Sequence, residues 1–153
     1  MPPTSFIAML LAPAQACQRA TGIPASFTLA QAALESSWGT EAAGNNLFGI
    51  KADRSWKGPT VDFRTTEHMG GKDVKLVDRF RAYDSWLASM VDHAQFLQKN
   101  SRYAACFRET TGEGWARAVA KAGYATDPRY ADKLIAVMQR RKMAQYDVQR
   151  VPA

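Results

Sequence analysis

An apolar run around Phe6, Ile7, Met9, Leu10 and Leu11 continues to Cys17 and stops at Gly22-Ile23-Pro24, which predicts a first helix. The next segment is more apolar. Phe27, Leu29, Ala30, Ala32, Ala33 and Leu34 leave almost no polar face, as in a central helix packed on several sides. Ser26 or Thr28 can cap this helix after Pro24, and it is expected to run to Trp38 with Glu35 in its last turn. Between Ser55 and Tyr83 the period changes to two. Val61, Phe63 and Thr65 alternate with Asp62, Arg64 and Thr66, and a second strand-like run spans Val74 to Arg81 beyond Gly70-Gly71. Two strands joined by a glycine turn predict a hairpin, which is marginal alone and has to lean on the helical body.

Helical spacing returns after Tyr83. Asp84 or Ser85 caps a core helix carrying Trp86, Leu87, Met90, Val91, Ala94 and Leu97. Arg102 to Phe107 forms a short helical piece, broken at Gly112-Glu113-Gly114. Trp115, Ala118, Val119 and Ala122 then mark a short amphipathic helix ending at Gly123. Asp127 and Pro128 open a last helix, expected from about Arg129 to Met143 with Tyr130, Leu134, Val137 and Met138 inward.

The 153 residues suit one domain with a sizeable core, read as 1–153 with a β lobe at about 55–83 and a C-terminal tail at about 144–153. With 46% hydrophobic and 22% charged residues and no repetitive window, neither disorder nor a solenoid is indicated. No stretch reaches membrane-spanning length, so no membrane insertion is expected, and nothing in the sequence calls for more than a monomer. The opening run lacks a preceding positive charge and is read as the first helix rather than a secretory signal.

A net charge of +6 favours an anionic partner. The basic residues are scattered, with one cluster at Arg140-Arg141-Lys142, so a nucleic acid is not expected. Cys17 and Cys106 form no ligand pattern and read as two small buried side chains. His68 and His93 lack companion ligands, so neither a metal nor a cofactor is expected, and His93 reads as a structural histidine.

The candidate chemistry starts at Glu35, the only charge in the central helix. Burial disfavours its ionised form, and the negative end of the helix dipole acts in the same direction. Both raise the carboxyl pKa, as a general acid requires.

The motifs AQAALESSWG and NNLFGIK resemble the signature of glycoside hydrolase family 73, lysozyme-like endo-β-N-acetylglucosaminidases that cut peptidoglycan glycan strands. KGPTVDFRTTEHMGG, FRAYDSW and AGYATDPRYADKL resemble that family's later segments in the same order, so the likeness runs from about Phe6 to Met143. It implies an α+β fold, mostly α: a lysozyme-like helical domain with a small β-hairpin lobe flanking the cleft.

The resemblance also implies roles. Glu35 becomes the proton donor, Glu67 on the hairpin the second acid, and Tyr124 the support for the acetamido group or the anomeric charge. His68 follows Glu67 where family members often carry an aromatic residue, a departure that affects local contacts. Trp38, Asn46, Phe48 and Tyr130 are the candidate substrate-binding residues, with Trp86 a further stacking face, although Tyr130's place inside a helix favours packing. The expected reaction is hydrolysis of the β-1,4 bond between N-acetylglucosamine and N-acetylmuramic acid, by water activation at the second acid or through the substrate's own acetamido oxygen. A muramidase, a lytic transglycosylase or a non-catalytic wall-binding or partner-binding module on the same fold are the alternatives. The expected partners are peptidoglycan strands and a cognate inhibitor or immunity protein. Action at the wall or in the periplasm would then rely on phage lysis, flagellar export or a type VI-like injector.

Overall fold

The computed structural model describes residues 1–149. Five α-helices, α1 (Pro3–Thr21), α2 (Ala25–Ser36), α3 (Trp86–Lys99), α4 (Gly112–Lys121) and α5 (Tyr130–Arg140), surround one core, and β1 (Thr60–Met69) and β2 (Lys72–Arg81) stand beside it. The mostly helical body with a hairpin lobe is the architecture the sequence pattern implies.

α2 is the axis of the body. Every residue from Ala25 to Ala33 is buried, and the helix packs against α1, α4 and α5. Its start differs from expectation. Neither Ser26 nor Thr28 caps it; the N-cap position is Pro24, which has no side chain to offer. Asp147 does that work from the far end of the chain, its carboxylate accepting from the Ser26 backbone N–H at 2.7 Å and the Ser26 hydroxyl at 2.8 Å. An anion there also suits the positive end of the helix dipole. The expected tail is therefore anchored: Met143 is buried, Tyr146 accepts from Gln15 Nε2, and Val148 N–H donates to Gln18. Residues 150–153 of that tail lie outside the described residues.

The other end of α2 matches its local chemistry. Ser37 and Trp38 take left-handed backbone conformations and stop the helix at Ser36, two residues short of the expected limit. Glu35 accordingly lies in the last turn.

The hairpin pairs Thr60 with Arg81 through Met69 with Lys72. Gly70 and Gly71 both have positive φ, which the tight two-residue turn requires. Lys51 makes a further antiparallel bridge to Phe80, so the segment after the Asn46 loop lies along the base of the hairpin.

Arg81 fixes the lobe to the body. It is 6% exposed, donates to Asp92 of α3 at 3.0 Å and to the Lys51 carbonyl at 3.2 Å, and lies 4.8 Å from the Trp56 ring centre. Asp92 also accepts from Tyr83 at 2.6 Å. α3 starts at Ser85, whose hydroxyl accepts from Ala88 N–H. α4 begins on the glycine segment expected to break structure, because Thr111 caps it and accepts from Gly114 N–H. Both cysteines are free; Cys106 is buried as expected, whereas Cys17 is only half-buried.

Candidate active site

The hairpin and the helical body enclose a cleft of about 1280 Å³ lined by Glu35, Gly49, Lys51, Glu67, Tyr124 and Tyr130, among others. Glu35 enters it from the end of α2. Burial pushes its carboxyl up to about 7, a donated hydrogen bond from Tyr130 opposes this, and the Glu67 charge adds to the rise. A carboxylic acid still protonated near neutral pH can give its hydrogen to a leaving oxygen.

Its two oxygens have different surroundings. Oε1 accepts the Tyr130 hydroxyl at 2.7 Å, whereas Oε2 lies against Gly49, where a Cβ would come within 2.9 Å of it. Gly49 reaches that position because Asn46 shapes the loop. Asn46 Oδ1 accepts from Phe48 and Ile50 N–H, and Nδ2 donates to the Ile50 and Arg81 carbonyls.

Glu67 approaches from β1. Lys51 Nζ lies 3.1 Å from Glu67 and 2.8 Å from Asp78, a cation shared between two carboxylates. Thr126, in the loop before α5, donates to Glu67 Oε2 at 3.2 Å and accepts the His68 backbone N–H at 2.9 Å. Hairpin and loop thus touch beside the cleft.

Tyr124 and Tyr130 stack with ring centres 5.9 Å apart. Their hydroxyls diverge. Tyr130 bonds to Glu35, and Tyr124 donates to the Phe48 carbonyl at 2.7 Å. Tyr130, rather than Tyr124, is the tyrosine in direct contact with the acid, although its place inside a helix favours packing. It occupies the first residue of α5, whose start turns it toward the end of α2.

Four of the candidate sugar contacts are turned to other uses. Phe48 is fully buried and stacks on His93 at 3.7 Å, so neither ring face is open to a ligand. Asn46 is buried and spends its amide on the loop. Trp38 packs edge-on against Phe6 and beneath Arg141, and Trp86 also packs on Phe6. Each serves packing or loop shape; their residue types alone did not separate those uses from ligand contact.

Gln31, Gly49, Lys51 and Thr126 were not singled out from the sequence. Gln31 offered one usable sign: it is the polar residue four positions before Glu35, hence on the same helix face. Among the described residues no cluster of His, Cys, Asp and Glu is arranged to hold a metal ion.

The model of the glucosaminidase family, described as mannosyl-glycoprotein endo-beta-N-acetylglucosaminidase, matches residues 11–143. The chain belongs to this family. It is a glycoside hydrolase domain of family 73. The peptidoglycan hydrolase FlgJ of Escherichia coli K12 is 42% identical over 145 residues, covering 90% of this chain and 46% of FlgJ. The chain thus spans about half the length of that relative. A crystal structure of a peptidoglycan hydrolase mutant from Sphingomonas sp. A1 superposes with a TM-score of 0.84 at 39% identity, covering 93% of this chain and 96% of that one. A type VI secretion effector in complex with its immunity protein, from Pseudomonas protegens, is more distant, with a TM-score of 0.56 and 25% identity over 92% of this chain and 94% of that one.

Proposed function

We propose that this domain hydrolyses the β-1,4 bond that follows N-acetylglucosamine in peptidoglycan, with Glu35 as proton donor. The observation that carries the reading is the Glu35 carboxyl held neutral up to about pH 7 by burial at the wall of a cleft. Glu67 serves as the second acid, activating water or stabilising charge at the anomeric carbon. Its ion pair with Lys51 and its bond from Thr126 hold the carboxylate in place. Tyr130 orients the acid directly, while Tyr124 stacks behind it and supports the Phe48–Gly49 backbone.

The substrate class is supported by family membership and by the relatives' names, both peptidoglycan hydrolases. The net charge of +6 suits an anionic wall polymer. A proteinaceous inhibitor is a second partner, supported by the fold shared with a type VI secretion effector-immunity complex. Action at the cell wall follows from the substrate.

Digestion of purified sacculi, borohydride reduction and mass spectrometry test the bond. Reduced N-acetylglucosamine ends are expected. Reduced muramic ends would identify a muramidase and anhydro ends a transglycosylase; binding without release of fragments would identify a wall-binding module.

A further inference from the structure

Behind Glu35 a line of buried polar groups runs into the core. His93 Nε2 lies 2.6 Å from Gln31 Oε1, Gln31 Nε2 lies 2.9 Å from the Tyr130 hydroxyl, and that hydroxyl lies 2.7 Å from Glu35 Oε1. Gln31 and His93 are fully buried. The packing around His93 is tight, with Phe48 stacked on one face and Phe27 nearby.

The direction of this line follows from one atom. Burial pushes the His93 imidazolium down to about 3, so the ring is neutral at working pH and carries one hydrogen on one of two nitrogens. Nδ1 has no hydrogen-bond partner among the described residues. A buried N–H aimed at nothing forfeits a full hydrogen bond, and orphaned donors are rarer than orphaned acceptors. The hydrogen therefore sits on Nε2 and is donated to the Gln31 carbonyl oxygen. Gln31's amide nitrogen must then face Tyr130 and donate to its oxygen. The Tyr130 hydrogen is left with Glu35 Oε1 as its acceptor. Reversing the line would place the histidine hydrogen on Nδ1, against no acceptor.

The geometry points to Gln31 and His93 as positioning residues that lock Tyr130 as a donor to Glu35 Oε1, so that the acid carries its transferable hydrogen on Oε2, beside Gly49. This rests on Glu35 being the proton donor. Oε1 accepts one hydrogen already and has no room for its own along the same line. Oε2 is the oxygen beside Gly49, and both residues line the cleft. If the line is cut, the Tyr130 hydroxyl is free to rotate and accept from Oε1, and a fraction of the acid holds its hydrogen on the wrong oxygen. The other groups facing Glu35 are Tyr124 from the loop and Glu67 from β1; both stay unchanged in the variants below.

The test uses the whole chain and two readouts, the 13C NMR titration of the Glu35 carboxyl and the pH profile of sacculus hydrolysis. Gln31→Met is expected to raise the Glu35 midpoint and the basic limb of kcat/KM together by about half a pH unit or more. It should lower kcat about three- to tenfold with KM within twofold. In a Tyr130→Phe background the same substitution should add nothing, because its effect passes through the phenol. His93→Met should reproduce Gln31→Met and serves as the second variant if that one does not fold, while His93→Gln, whose amide can donate to Gln31, should restore most of the loss. An unmoved NMR midpoint in either folded variant, or effects fully additive with Tyr130→Phe, would overturn the proposal. Undiminished turnover of Glu35→Gln alongside the expected NMR shift in Gln31→Met would instead sink the assignment of Glu35 as acid and leave the hydrogen-bond order standing.

Discussion

Gly49 approaches Glu35 so closely that a single added methyl group would lie 2.9 Å from carboxyl Oε2. The backbone at Gly49 has φ +67°, a left-handed conformation that other residues adopt only with strain. The loop and the acid are fitted to each other. Gly49→Ala is expected to cost about 1–2 kcal/mol of stability from backbone strain and to reduce kcat about tenfold or more by pushing the carboxyl out of line. Chemical denaturation and turnover measured on the same preparation check both. Wild-type activity in the alanine variant would show that the contact is dispensable.

Glu35→Gln should fold, because its amide oxygen still accepts from Tyr130, yet lose at least a hundredfold in turnover for want of a proton to give. In the wild type, kcat/KM should fall as pH rises through about 7, where the acid ionises.

The same shift has a stability consequence of definite sign. The folded carboxyl titrates at about 7 against an ordinary value of 4.5, so between those pH values the folded state holds a proton that the unfolded state has released. Stability from this group is complete below 4.5 and is lost as pH rises toward and through 7, by about 3 kcal/mol in all. Urea denaturation at pH 5 and pH 8 should show the wild type losing stability relative to Glu35→Gln over that interval. Parallel losses in the two proteins would contradict the burial argument.

Glu67→Gln separates the two routes to the product. If this carboxylate activates water, turnover should fall about a hundredfold or more, and that is the outcome expected from its fixed place opposite Lys51. A loss below tenfold, with the fold intact by circular dichroism, would move the nucleophile's role to the substrate's acetamido oxygen.

Asp92→Ala leaves Arg81 buried with its charge uncompensated by that partner, since Asp53, the other acid nearby, is 3.7 Å away and largely exposed. Removing one side of a buried ion pair costs about 3–5 kcal/mol. Because Arg81 ties the hairpin to α3, proteolysis should appear first near residues 55–83. Unchanged unfolding midpoints would show that the lobe does not depend on this pair.

The sequence made the helical body and the hairpin readable, since burial on several faces of α2 and the alternation around Val61 and Phe63 are written locally. The glycine pair at 70–71 marked the turn for the same reason. The start of α2 was not readable, because its cap comes from Asp147, a pairing across 121 positions that no local pattern records. Glu35 stood out as a lone charge among apolar neighbours. Choosing between Tyr124 and Tyr130 needed the direction of two hydroxyls, which depends on how α5 meets α2. Phe48 and Trp38 illustrate the remaining ambiguity: a large aromatic reads the same whether it fills a core or lines a groove.

Thr126 gives the molecule a bridge from loop to hairpin, one hydroxyl engaged with both Glu67 and the His68 backbone. The tie that steadies the second carboxylate and the tie that joins hairpin to loop thus share one oxygen atom, so loosening either loosens both.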